Sequence, residues 1–285
     1  MRKQLNVPVL LIVLVAIVLV FGTHYWLSNN QSALPNVAAK AAEPIPSLPD
    51  FTLFTDVQTK KETFFELLYP IIQEENAHVL AVRKALLSLQ QVDALSDSER
   101  QWISEVAEYY KIENDDDTPV EINQALIDEL LVRIDYVPPS LALTQAAIES
   151  GWGTSRFSRE GNNLFGHWCF VKGCGIVPSD RDEGRYHEVA KFSTVNQAVR
   201  AYLRNLNTHY AYEEFRALRA QLRNNNKPLT GKALANSLGH YSEEGEHYIQ
   251  KVSRFIDHNK LQRYTRQFEE AVIQTESQSE ATSAR

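Results

Sequence analysis

Apolar residues recur at helical spacing along most of this chain. The pattern predicts a helix from Thr63 to about Leu89, with Pro70 as a kink or break inside it. Ser96, followed three residues later by Glu99, is a capping-box pattern before a helix ending near Lys111. Another helix is expected over roughly Glu121 to Arg133. Pro138 and Pro139 then open one that runs to about Ser150, where Gly151 and Gly153 end it. From Leu164 to Phe192 the helical period gives way to short segments rich in Gly, Cys and charged residues, a small β-rich or irregular lobe. Helical spacing returns at Val195–Asn207, Tyr212–Arg223, Gly231–Ser237 and Gly245–Gln262. Many helices around one small β insertion make an α+β chain dominated by helix.

The two ends read differently. Arg2 and Lys3 precede an uncharged apolar run from Val7 to Phe21. Continued to Leu27, a helix there reaches about 31 Å, close to the hydrocarbon thickness of a bilayer. Tyr25 and Trp26 then sit where interfacial aromatics belong. Residues 1–27 are therefore expected to be a single-pass transmembrane anchor. A cleaved signal peptide is the alternative, with Val37-Ala38-Ala39 as the nearest candidate site. With the basic residues inside, everything after Asn30 faces outward. Residues 28–55, with Pro35, Pro44, Pro46 and Pro49, read as a semi-extended tether. Asn114 to Pro119 reads as a solvated acidic turn. Residues 274–285 are polar and small and read as a disordered tail.

Composition removes one class of function. Of 285 residues, 44% are hydrophobic, enough for a real core, and the formal net charge is −7. A surface of that sign does not neutralise phosphates, so no nucleic-acid partner is expected.

The stretch that carries chemistry is Ala146-Ala147-Ile148-Glu149-Ser150-Gly151-Trp152-Gly153, followed by Asn162-Asn163-Leu164-Phe165-Gly166. Glu149 falls in the last turn of an apolar helix, where the negative end of the helix dipole disfavours an ionised carboxylate. Ile148, Trp152 and Phe165 are expected to wall it with apolar surface, which favours the neutral acid further. A carboxylic acid still protonated near neutral pH is what a glycosidase uses to protonate a departing sugar oxygen. The bland alternative is an exposed glutamate at a helix end, the commonest fate of that residue. A helix that runs into Gly-Trp-Gly and then Asn-Asn-Leu-Phe-Gly is an unusual way to leave a surface helix.

Gln145 to Gly166 resembles the signature of the glucosaminidase-type peptidoglycan hydrolases of the lysozyme-like superfamily, most of all the bacterial Bax-type proteins. Cys169 and Cys174 flanking Lys172-Gly173 belong to the same resemblance. So do Tyr202, Asn205-Leu206-Asn207-Thr208-His209, Ala220-Gln221-Leu222-Arg223 and Gly239-His240-Tyr241-Ser242. The resemblance covers roughly Phe64 to Leu261. It implies a lysozyme-like domain with a small β-lobe and no metal or organic cofactor. It further implies hydrolysis of the β-1,4 bond after N-acetylglucosamine in peptidoglycan, with Glu149 as the catalytic acid. On this basis residues 136–265 form the catalytic domain, residues 60–135 are a helical region packed on it, and the anchor is expected in a bacterial inner membrane with the catalytic domain in the periplasm.

Other site residues are candidates. A second acid from the β-lobe would come from Asp180, Asp182, Glu183 or Glu188, with Glu183 favoured; a charged, solvated loop tip is its bland alternative. Trp152, Asn163, Phe165 and Tyr241 are candidate substrate-binding residues, and Trp168 a possible sugar platform. For Trp152 and Phe165 packing behind the acid is the stronger alternative. Tyr241 resembles the aromatic of the family's Tyr-Ala-Thr motif, although Ser242 and Glu243 follow it here; a packed core tyrosine competes evenly. Cys169 and Cys174 are the only cysteines, and an exported chain pairs them as a disulfide. Zinc with His167 or His187 is the rival. Arg216, Arg219 and Arg223 share one helical face, and a solvated stripe explains them better than an acidic ligand. A lytic transglycosylase and a wall-binding scaffold without catalysis are the alternative functions.

Overall fold

The computed structural model describes residues 34–41, 43–112, 120–179, 181, 184–239 and 245–283. Its helices are α1 (Val57–Leu89), α2 (Asp97–Tyr109), α3 (Gln124–Arg133), α4 (Pro139–Ser150), α5 (Arg156–Gly161), α6 (Val195–Thr208), α7 (Glu213–Asn224), α8 (Gly231–Ala235), α9 (Glu246–His258) and α10 (Gln262–Ser283). Between α5 and α6 lie strands β1 (Trp168–Cys169), β2 (Gly175–Ile176) and β3 (Glu188–Ala190). They form an antiparallel sheet in the order β1-β3-β2, with Trp168 opposite Val189 and Gly175 opposite Ala190. The chain is therefore predominantly helical with a small β-lobe. Residues 36–285 form one unit.

Local chemistry explains most of these boundaries. The Ser96 hydroxyl accepts from Glu99 N, and the Glu99 carboxylate accepts from Ser96 N at 2.7 Å, so the predicted capping box is present. Pro139 stands in the first turn of α4, where no N–H is needed. Pro70 does not break α1, which runs on for 33 residues. A proline deletes one helix bond, and buried Phe64, Phe65, Leu68, Ile71 and Ile72 on both sides hold the helix by packing.

α4 is the axis around which the rest assembles. Residues Pro139 to Ala147 are all buried, and α1, α8, α9 and α10 pack against it. A helix apolar on every face needs exactly such a surround. The region before it is part of the same body. Asn76 clamps Val137 through both amide ends (2.8 and 3.0 Å), and Arg200 on α6 grips buried Glu75 with two bonds of 3.0 and 2.8 Å.

Three expectations are corrected. The proline-rich segment is not a free tether where it is described. Ile45 N donates to Asn196 Oδ1, Ile45 O accepts from Val195 N, and Asn162 Nδ2 donates to Pro46 O. Phe51 is fully buried. Prolines kept the segment extended, and an extended backbone with its polar groups open is readily strapped to a surface. The tail is helical as far as Ser283, because Gln274 to Ser283 holds no Gly or Pro to stop α10.

The arginine face of α7 is likewise not solvated. Arg219 is fully buried and Arg216 nearly so. Arg219 donates to Asp135 O (2.9 Å), Asn207 Oδ1 (2.7 Å) and Arg133 O (2.8 Å). Arg223 forks onto the Asp135 carboxylate at 2.5 and 2.6 Å. The C-terminus of α3 offers carbonyls with no helical partner, and burying them calls for donors. Arg83 adds bonds to Leu131 O and, at 2.8 Å, Ile134 O.

Among the described residues no helix is long and apolar enough to cross a membrane. The apolar run Val7–Phe21, and with it the predicted anchor, lies outside the described residues.

Candidate active site

The signature stretch folds as an abrupt end to α4. Gly151, Trp152 and Gly153 have φ of 56°, 61° and 76°, three successive left-handed residues. Glycine adopts this without strain, whereas a bulky residue pays about 1–2 kcal/mol. Packing offsets it at Trp152. The indole meets the rings of Phe64, Phe65 and Phe255 at 5.7, 5.4 and 5.2 Å, with Lys61 Nζ 5.2 Å from its centre. Gly153 is needed twice over, because a Cβ there would lie 2.6 Å from the Phe51 ring. Ser150 locks the turn, donating to Ala146 O and accepting from Gly153 N.

This turn leaves Glu149 at the last exposed position of an otherwise buried helix. Two of the three residues expected to wall the acid have ring partners of their own. Trp152 is turned into the aromatic cluster, and Phe165 lies flat on Tyr202, ring centres 4.0 Å apart and 11° from parallel.

Glu149 has a polar connection to the core. Tyr248 Oη donates to Glu149 Oε1 at 3.0 Å. Gln145 Nε2 donates to Tyr248 Oη at 2.9 Å, and Tyr202 Oη donates to Gln145 Oε1 at 2.6 Å. Gln145 and Tyr202 are fully buried, and Tyr248 almost so. Burial, and then the nearby Glu149 charge, raises the Tyr248 phenol far above its ordinary value. Tyr202 is raised by burial, by Tyr212 and by Glu149, and burial lifts Tyr212 to about 12. These phenols keep their protons. Gln145 and Tyr248 were missed as partners of the acid. Gln145 is legible in hindsight as a polar residue one turn before Glu149 on an apolar helix; Tyr248, 99 residues on, carries no local signal.

The other candidates separate. Asn163 is buried and spends its amide on the β-lobe, donating to His167 O and Ala190 O (2.8 Å each) and accepting from His167 N. Phe165 is 4% exposed. Asn163 and Phe165 thus have structural contacts, and Trp152 packs in the aromatic cluster. Trp168 is more than half exposed and stacked on His187 at 4.2 Å. Cys169 and Cys174 are bonded to each other, Cα to Cα 6.2 Å. The buried Glu188 carboxylate accepts from Gly173 N and Gly175 N, which pull its pKa down. Glu188 therefore holds the disulfide loop, and with the sulfurs joined the three groups are not a metal set. Asp180, Asp182, Glu183 and Tyr241 lie outside the described residues. A hollow of about 720 Å³ between α1, α7 and α10 contains none of the predicted site residues.

His167 gives the β-lobe a pH dependence. Its Nδ1 is buried and finds no partner among the described residues, and burial pushes its pKa down from 6.5 to about 4. The unfolded chain binds this proton near 6.5 and the folded one resists it, so the contribution is complete above 6.5 and lost as pH falls toward 4. Thermal melts should show the wild-type midpoint dropping from pH 6.5 to 5 more steeply than that of His167→Phe. Parallel slopes would refute a buried neutral imidazole.

Comparison with known proteins gives three findings. The family model described as Glucosaminidase, mannosyl-glycoprotein endo-beta-N-acetylglucosaminidase, matches residues 127–261. Protein bax of Escherichia coli K12 is 37% identical over 202 residues, 71% of this chain and 70% of that protein. The catalytic domain of the autolysin Auto from Listeria monocytogenes superposes over 62% of this chain and 93% of that one, at 20% identity and a TM-score of 0.35. That last likeness is loose.

Proposed function

Because this chain belongs to the glucosaminidase family, we propose that it is a peptidoglycan hydrolase that cleaves the β-1,4 bond after N-acetylglucosamine. The observation that carries this is Glu149, held at the exposed tip of a buried helix by a hydrogen bond from the core. The peptidoglycan substrate is supported by the resemblance of the Gln145–Gly166 stretch to hydrolases of that polymer.

In this scheme Glu149 gives its proton to the glycosidic oxygen, the bond from that oxygen to the sugar's anomeric carbon breaks, and positive charge develops on the ring. The carboxylate left behind accepts the Tyr248 hydrogen bond, strongest when the acceptor is ionised. Glu183 is the proposed second carboxyl. A base about 6.5–9.5 Å from Glu149 would activate water for inversion, whereas a nucleophile would stand at about 5–5.5 Å. The Cys169–Cys174 bond and the Val7–Phe21 run support an anchored body working in the oxidising periplasm.

Mass spectrometry of digested peptidoglycan tests the reading. New reducing N-acetylglucosamine ends are expected. Anhydromuramic ends would make the chain a lytic transglycosylase, and absence of any cleavage would leave a wall-binding scaffold.

A further inference from the structure

Building on the assignment of Glu149 as proton donor, we propose that Tyr202 is a positioning residue that sets the strength of that acid by fixing the direction of the buried chain Tyr202–Gln145–Tyr248–Glu149.

A glutamine amide accepts at one end and donates at the other, so its neighbours decide which way it faces. Tyr202 is fully buried, and its hydroxyl proton goes to Gln145 Oε1 at 2.6 Å. That orients the Gln145 N–H group toward Tyr248, occupying the phenol oxygen as acceptor at 2.9 Å. The Tyr248 proton is thereby directed to the carboxylate. The opposite arrangement begins with a protonated Glu149 donating to Tyr248, and requires Tyr248 to donate to Gln145 and Gln145 to Tyr202. It takes Gln145 away from the Tyr202 proton inside the core, where an unmet donor is costly. Tyr202 thus biases the whole chain toward the arrangement that supports an anion at Glu149.

The bias matters for catalysis because proton donation creates that anion. A donor already aimed at Oε1 strengthens its bond as charge develops and needs no reorientation. The phenols of Tyr202 on α6, Tyr212 before α7 and Tyr248 on α9 all feel the Glu149 charge. Their raised pKa values keep them neutral donors across the working range. Phe165, stacked on Tyr202, holds that ring in place.

The test compares the full chain with Tyr202→Phe, Tyr248→Phe and the double variant. The alkaline limb of kcat/KM on soluble glycan fragments and the 13C titration of the Glu149 carboxyl are both followed. Without the Tyr202 hydroxyl the amide is free to turn, Tyr248 is shared with Gln145, and the carboxyl keeps its proton to higher pH. The limb and the titration should move up by about half to one unit in Tyr202→Phe, and by at least as much in Tyr248→Phe. Adding Tyr202→Phe to Tyr248→Phe should move neither further. A role confined to packing lowers kcat or stability and leaves the limb where wild type has it, which would overturn the proposal. Should Tyr202→Phe not fold, a neutron structure of the wild type reads the deuterons directly; a Gln145 amide donating to Tyr202 would refute it. The two readings fail separately. Undiminished cleavage by Glu149→Gln removes the acid assignment, while the carboxyl titration still reports on the chain.

Discussion

Glu149→Gln is expected to slow glycan cleavage by about 10²- to 10⁴-fold, the usual contribution of a general acid, while the protein folds normally. The amide matches the carboxyl in shape, and its oxygen can still accept from Tyr248, so the local hydrogen bond survives. What disappears is the transferable proton. Because Glu149 is exposed, the exchange strands no buried charge and should leave the melting temperature nearly unchanged. Cleared area on a peptidoglycan zymogram and kcat on soluble fragments measure the loss, and circular dichroism checks the fold. Clearing at the wild-type rate would transfer the acid role to another residue. A loss accompanied by unfolding would say nothing of chemistry, which is why glutamine is preferred to alanine.

The largest effect on stability should come from the buried arginine of α7. Arg219→Met removes three short hydrogen bonds to Asp135 O, Asn207 Oδ1 and Arg133 O, and of these Asp135 O keeps only the Asn207 amide at 3.1 Å. Burial pushes the guanidinium pKa down to about 10, yet it stays cationic at neutral pH beside the Asp135 and Arg223 pair. Breaking a buried charged network costs about 3–5 kcal/mol, which in a body of this size lowers Tm by about 10 °C. Arg219→Lys keeps the charge but not the planar fork and should lose roughly half as much. Calorimetric melts compare the three proteins. A Tm for Arg219→Met within two or three degrees of wild type, on the scale of about 2–4 °C per kcal/mol, would mean water reaches those carbonyls.

Both predictions concern residues whose types were plain in the chain and whose surroundings were not. Arg216, Arg219 and Arg223 share a helical face, and a face of cations is ordinarily wet. It is dry here because the unsatisfied carbonyls at the end of α3 lie against it, a demand set some 85 residues earlier in the chain. Asn163 is similar. Its place in the signature suggested a hand on the sugar, but its amide ties the loop before β1 to β3. A conspicuous motif residue can serve the site by shaping the backbone.

Local chemistry determined a great deal by itself. The prolines opening α4, the glycines ending it, the capping box of α2 and the change of period that marks the β-lobe all act over a few residues, where the backbone's own preferences decide. Only the tertiary structure decided how wet Glu149 is, which hydrogen bond reaches it, and that a proline-rich segment would be strapped to the body. Those outcomes depend on which surfaces meet across a hundred residues or more, and a partner that distant leaves no periodic trace in the chain.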